Sequence, residues 1–159
     1  MAGRPRPFPT APSSWSSRRW PGAPIAPRSL RLPSALREAL VAHAREGAPD
    51  EVCGVLAGRA GLATRLIRCA NVAPSPRTRY LMAPREQLAV FREMDAAGEE
   101  LVAIYHSHPA TEPRPSATDV AEAHYPDAFY VLVSLRGPEP ELAAWTIRGG
   151  AIAPVAIDG

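Results

Sequence analysis

The chain contains no lysine; all 18 of its basic residues are arginine. It has only two cysteines, Cys53 and Cys69, in 159 residues. Two cannot build a disulfide framework, so a reducing, cytoplasmic setting is expected. Their ordinary place is as small buried hydrophobes. No apolar run approaches the ~18–20 residues needed to span a bilayer as a helix, so no membrane partner is expected. Acids are missing from residues 1–31, which hold six arginines. Residues 32–159 then carry 12 arginines against 16 acids, a net of −4. The sequence pI of 8.8 therefore belongs to the leading segment and not to the body. An acidic body argues against a nucleic-acid-binding core.

Residues 1–28 hold seven of the 19 prolines and show no apolar period. Such a segment cannot bury enough surface to offset its ordering entropy. It reads as a disordered extension or as an over-long start of the reading frame. Arg18-Arg19 suggests a twin-arginine export signal, but Trp-Pro-Gly-Ala-Pro-Ile-Ala-Pro follows, too short and too broken by proline for the required apolar stretch. A basic segment carrying tryptophan also suits an acidic surface or nucleic acid, which leaves a binding module as the competing class. Residues 29–159 are enough for one domain.

That body alternates strands and helices. Leu30–Leu32 is a lead-in strand. Ser34 is placed as the N-cap of a helix that Gly47 and Pro49 end. Glu51–Gly58 reads as a strand of small residues packed tightly on a neighbour, hairpin-paired with Ala63–Asn71 through Arg59-Ala-Gly61. A loop over Asn71–Arg79 leads to a brief strand, Tyr80–Met82. Pro84 opens a helix with Leu88, Phe91 and Met94 marking its faces, and Gly98 closes it. Leu101–His106 is a strand, Ser116 caps a helix running to about His124, and Ala128–Leu135 is a central strand. Glu141–Ile147 and Ile152–Ile157 pair through Gly149-Gly150.

Chemistry concentrates in His106-Ser-His108-Pro and Ser116-Ala-Thr-Asp119. Alternate side chains of a strand share a face, so His106 and His108 point one way and Ser107 the other. Pro109 ends the strand. His-x-His alone is a weak signal for metal. His43 and His124 sit in helices elsewhere, so a site here needs a third ligand of another kind. Asp119 lies one turn into the helix capped by Ser116, behind a loop stiffened by Pro109, Pro113 and Pro115. Imidazole and carboxylate are the ligands that hold zinc with one position left open. Amide hydrolysis then needs a base close to the metal but not on it. The His-Glu-x-x-His order that supplies one on a helix is absent. Glu51, a carboxylate opening an otherwise apolar strand, is the candidate.

Together, Glu51, His106-Ser-His108-Pro and Ser116-x-x-Asp119, with seven residues between His108 and Ser116, resemble the JAMM motif of the JAB1/MPN/Mov34 metalloenzyme family. The likeness runs over roughly Leu30–Ile157. It is strongest to small bacterial members that act on ubiquitin-like sulfur-carrier proteins. The resemblance implies an α/β (α+β) single domain of MPN/cytidine-deaminase-like fold, a mixed β-sheet flanked by helices. It implies one Zn2+ per chain on His106, His108 and Asp119, with Glu51 as general acid/base and Ser116 stabilising the oxyanion. It also implies an isopeptidase cutting after the C-terminal Gly-Gly of a carrier protein and releasing cysteine. Arg79 and Arg114 are candidates for the leaving group's carboxylate. Cys53, two residues after Glu51, is expected near the site as packing. A homodimer is left open.

Overall fold

The computed structural model of the protein describes residues 29–159; the expectations for residues 1–28 lie outside the described residues. In chain order the elements are β1 (Ser29–Arg31), α1 (Ser34–Gly47), β2 (Cys53–Arg59), β3 (Leu62–Cys69), α2 (Pro84–Ala96), β4 (Glu100–His108), α3 (Ala117–Ala121), β5 (Phe129–Ser134), β6 (Glu141–Arg148) and β7 (Ala151–Asp158). The strands adjoin in the order β1-β3-β2-β4-β5-β6-β7. Because β1 pairs with both β3 and β7, the sheet closes on itself. The mixed sheet flanked by helices expected from the sequence is present. Its closure by a three-residue strand had no sequence signal.

Neighbours β2–β3, β2–β4, β5–β6 and β6–β7 are antiparallel, whereas β4 and β5 are parallel. A parallel pair requires a crossover. Here the crossover carries α3 and returns it to the end of β4, which is where the site forms. The hairpins turn at Ala60-Gly61 and Gly149-Gly150 with positive φ at both residues, the twist that matches flanking strands.

Alternation along the strands makes two cores. Leu56, Ala103, Tyr105, Val131 and Val133 pack on one face with Leu40 and Ala44 of α1. Val55, Ala57, Ile104 and Tyr130 pack on the other with Val90 and Met94 of α2. The small residues of β2 are there for closeness. A Cβ on Gly54 would lie 2.3 Å from the Ile67 carbonyl oxygen and 2.5 Å from the Tyr105 hydroxyl.

Several features differ from expectation. Pro33 holds the N-cap position of α1 and Ser34 is already helical, with no side-chain cap; the fixed φ of proline suits the entry. Leu88 is 49% exposed, and α2 is buried through Val90 and Met94 instead. Tyr80–Met82 contributes only an isolated bridge between Met82 and Asn71. Helix α3 stops at Ala121, so His124 is not helical; Pro126 disfavours helix at the residue before it and no apolar stripe extends the pattern. Among the described residues no helix is long and apolar enough to cross a membrane.

Candidate metal centre

Strand β4 runs two residues further than expected and carries both histidines within it, on the face shared with Ile104. Both are buried, at 1% and 5% exposure. Ser107 faces the other way, and its hydroxyl accepts from the Val52 backbone N–H at 2.9 Å. Its own N–H donates to the Val52 carbonyl at 3.0 Å. Ser107 thus ties the end of β4 to the segment just ahead of β2.

Asp119 arrives on α3 through a reciprocal cap. Ser116 Oγ accepts from the Asp119 N–H at 3.1 Å, and Asp119 Oδ2 accepts from the Ser116 N–H at 2.8 Å. The same Oδ2 lies 3.2 Å from His106 Nε2 and 3.3 Å from His108 Nε2. The two Nε2 atoms are 3.1 Å apart. A tetrahedral zinc with bonds of ~2.0–2.1 Å has ligand-to-ligand edges of about 3.3 Å. All three edges of this triangle are near that length, and among the described residues these three form the one cluster able to hold a metal ion.

The His108 tautomer agrees with that use. His108 Nδ1 is 2.8 Å from the Glu112 carbonyl oxygen, so it carries the proton and Nε2 presents a lone pair. His106 is oriented differently. Its Nδ1 is buried without a hydrogen-bond partner, and its ring stacks on Tyr80 at 4.3 Å between centroids. Burial lowers the His106 pKa against the pull of Asp119. Burial opposes a charge on His108 as well, but Asp119, the Glu112 carbonyl and Glu51 outweigh it and the net shift is upward. Burial would raise Asp119; hydrogen bonds from His106 and His108 hold it far below the carboxylate range instead.

Glu51 is not in a strand, because β2 begins at Cys53. Its backbone is held by other means. The Glu51 N–H donates to the Pro76 carbonyl at 2.7 Å, and the Glu51 carbonyl accepts from Asn71 Nδ2 at 2.9 Å. Its side chain is 6% exposed. Oε1 lies 3.9 Å from His108 Nε2, and Oε2 is buried with no hydrogen-bond partner. Burial pushes its pKa up to about 7, against the attraction of His108. A carboxylate therefore stands beside the donor triangle without joining it.

Comparison with known proteins identifies the family. A family described as prokaryotic homologs of the JAB domain matches residues 33–148. The chain belongs to that family. This JAB domain is 52% identical over 126 residues to the CysO-cysteine peptidase of Mycobacterium tuberculosis, covering 77% of this chain and 86% of that protein. It is 40% identical over 125 residues to the desampylase of Haloferax volcanii, covering 74% and 88%. A Desulfitobacterium hafniense protein solved in solution superposes with a TM-score of 0.73 at 34% identity, over 80% of this chain and 90% of that one.

Other candidates of the JAB domain take quieter places. Cys53 lies opposite His106 in β4 and opposite Cys69 in β3. Its Sγ donates to the Cys69 and Ala70 carbonyls, and burial pushes the thiol up to about 12, so it packs. Arg79 is half-exposed and pairs with Glu122. Arg114 lies over the Trp145 ring. His43 hydrogen-bonds the Tyr105 hydroxyl at 2.7 Å, on the face away from the metal ligands. Tyr80 against His106 and Asn71 against Glu51 were not foreseen, since neither contact has a local sequence pattern.

Proposed function

We propose that this JAB domain is a zinc isopeptidase holding one Zn2+ on His106, His108 and Asp119. The observation that carries the reading is a buried Glu51 carboxylate beside, yet outside, a converging His–His–Asp donor set. Zinc in such a set lowers the pKa of water it binds to near ~7 and polarises an amide carbonyl. Glu51 takes a proton from the attacking water and returns it to the leaving nitrogen. A base must both accept and release, and Glu51 is held buried beside the donor set with Oε2 free of protein hydrogen bonds. The Ser116 hydroxyl accepts from the Asp119 N–H and retains its own proton to donate to the developing oxyanion.

The substrate class follows the relatives. We assign the amide after the C-terminal Gly-Gly of a ubiquitin-like sulfur carrier, with cysteine as the leaving group, on the 52% likeness to a CysO-cysteine peptidase. The 40% likeness to a desampylase supports a second reading, a different ubiquitin-like conjugate. The cytoplasm fits either, with Cys53 and Cys69 both free thiols. Mass spectrometry of a carrier ending Gly-Gly-Cys, incubated with the zinc-loaded protein, tests the first. Loss of one cysteine residue, abolished by EDTA, is expected. An unchanged mass with fully metallated protein overturns the assignment, and cleavage of a lysine-linked conjugate in its place establishes the second.

Replacing Ser116 by Ala separates its two roles. Loss of the cap should cost about 1 kcal/mol in a thermal melt. Loss of the oxyanion donor should lower kcat by ~10²–10³-fold. A melt shift with kcat intact would leave Ser116 a cap alone.

A further inference from the structure

Asn71 follows β3 and uses its carboxamide to capacity. Nδ2 donates to the Glu51 carbonyl at 2.9 Å and to the Arg79 carbonyl at 3.0 Å. Oδ1 accepts from the Ala73 N–H at 3.0 Å and the Leu81 N–H at 2.9 Å. A primary amide has two N–H donors and one oxygen with two lone pairs, so none is left over. The Arg79 carbonyl and the Leu81 N–H belong to the two peptide groups on either side of Tyr80. The Tyr80 ring is the one stacked on His106. One side chain therefore joins the backbone of Glu51 to the backbone of the residue that orients a metal ligand.

Loop closure does not require it. Val72 N–H to Leu81 carbonyl and Ala83 N–H to Ala70 carbonyl already close the segment. His106 has particular need of the stack, because metal-bound histidines are ordinarily held through their second nitrogen, and here no protein group meets that nitrogen.

We infer that Asn71 is a positioning residue that fixes the base Glu51 and the ligand His106 as one unit, an inference resting on Glu51 acting as the base. The full chain loaded with Co2+ reports ligand geometry in its visible bands without turnover. Asn71→Asp keeps both accepting contacts and sets an oxygen against the Glu51 and Arg79 carbonyls. It should lower kcat on the Gly-Gly-Cys carrier ~10–100-fold, leave KM within about threefold, and move the Co2+ bands. Tyr80→Leu should move the bands in the same direction. Glu51→Gln should lower kcat and leave the bands in place. An Asn71→Asp protein that folds with native kcat and native bands overturns the inference. So does one in which only one of the two changes, since the two arms are claimed to share one anchor. Should Asn71→Asp not fold, Asn71→Ser, which still accepts one contact without the added charge, is held to the same two readouts. A wild type that leaves the carrier uncut fails the Gly-Gly-Cys substrate assignment alone, because the Co2+ bands still decide whether Asn71 holds His106.

Discussion

Glu51→Gln should cut turnover sharply while leaving zinc in place, with kcat falling ~10²–10⁴-fold, the range for losing a positioned general base. Glutamine keeps the shape of the side chain. The backbone holds on residue 51, from Pro76 and Asn71, do not involve the carboxylate. The donor triangle of His106, His108 and Asp119 does not include it either. Zinc content measured by atomic absorption should therefore match wild type, and KM should change little. Native turnover in the metallated variant would remove Glu51 from the chemistry.

The same substitution should stabilise the metal-free protein. Burial raises the Glu51 pKa from 4.5 to about 7. A raised carboxylate pKa means that the folded state holds a proton the unfolded state gives up. Ionised Glu51 therefore costs nothing below about pH 4.5 and progressively more up to pH 7, on the order of 3 kcal/mol at most. Melts in EDTA should show Glu51→Gln above wild type at pH 8, and the two converging near pH 4. Stability lost to a buried carboxylate is the signature of a residue kept for chemistry.

The site was legible where it is local. His106 and His108 alternate along one strand, and Ser116 and Asp119 form a cap within four residues, so strand period and capping chemistry place them. Glu51 was legible as a carboxylate ahead of an apolar run, yet its position outside β2 was not, because its N–H is taken by Pro76 from a distant loop. Asn71 and Tyr80 were invisible for the same reason: their roles exist only once β3, the following loop and β4 are brought together. Closure of the sheet by β1 depends likewise on β7, more than a hundred residues later. The hairpins were legible because each turn carries a glycine suited to positive φ, Gly61 in one and Gly149-Gly150 in the other, which is a local signal.

Asp119→Asn should have the opposite profile to Glu51→Gln: zinc is lost and turnover falls with it. Asparagine can still accept the Ser116 N–H, so the cap on α3 survives and the helix remains in place. What disappears is the negative charge within 3.3 Å of both imidazoles. Two neutral histidines and an amide oxygen form a poorer set for a divalent cation, and affinity should drop by ~10²-fold or more, beyond the cost of losing a mere outer partner. Competition against a chromophoric chelator measures this directly. Because the loss is of occupancy, added zinc should restore part of the turnover of Asp119→Asn and none of that of Glu51→Gln. Wild-type zinc affinity in Asp119→Asn would mean that the carboxylate is only a cap, and the donor triangle would then have to be redrawn around His106 and His108.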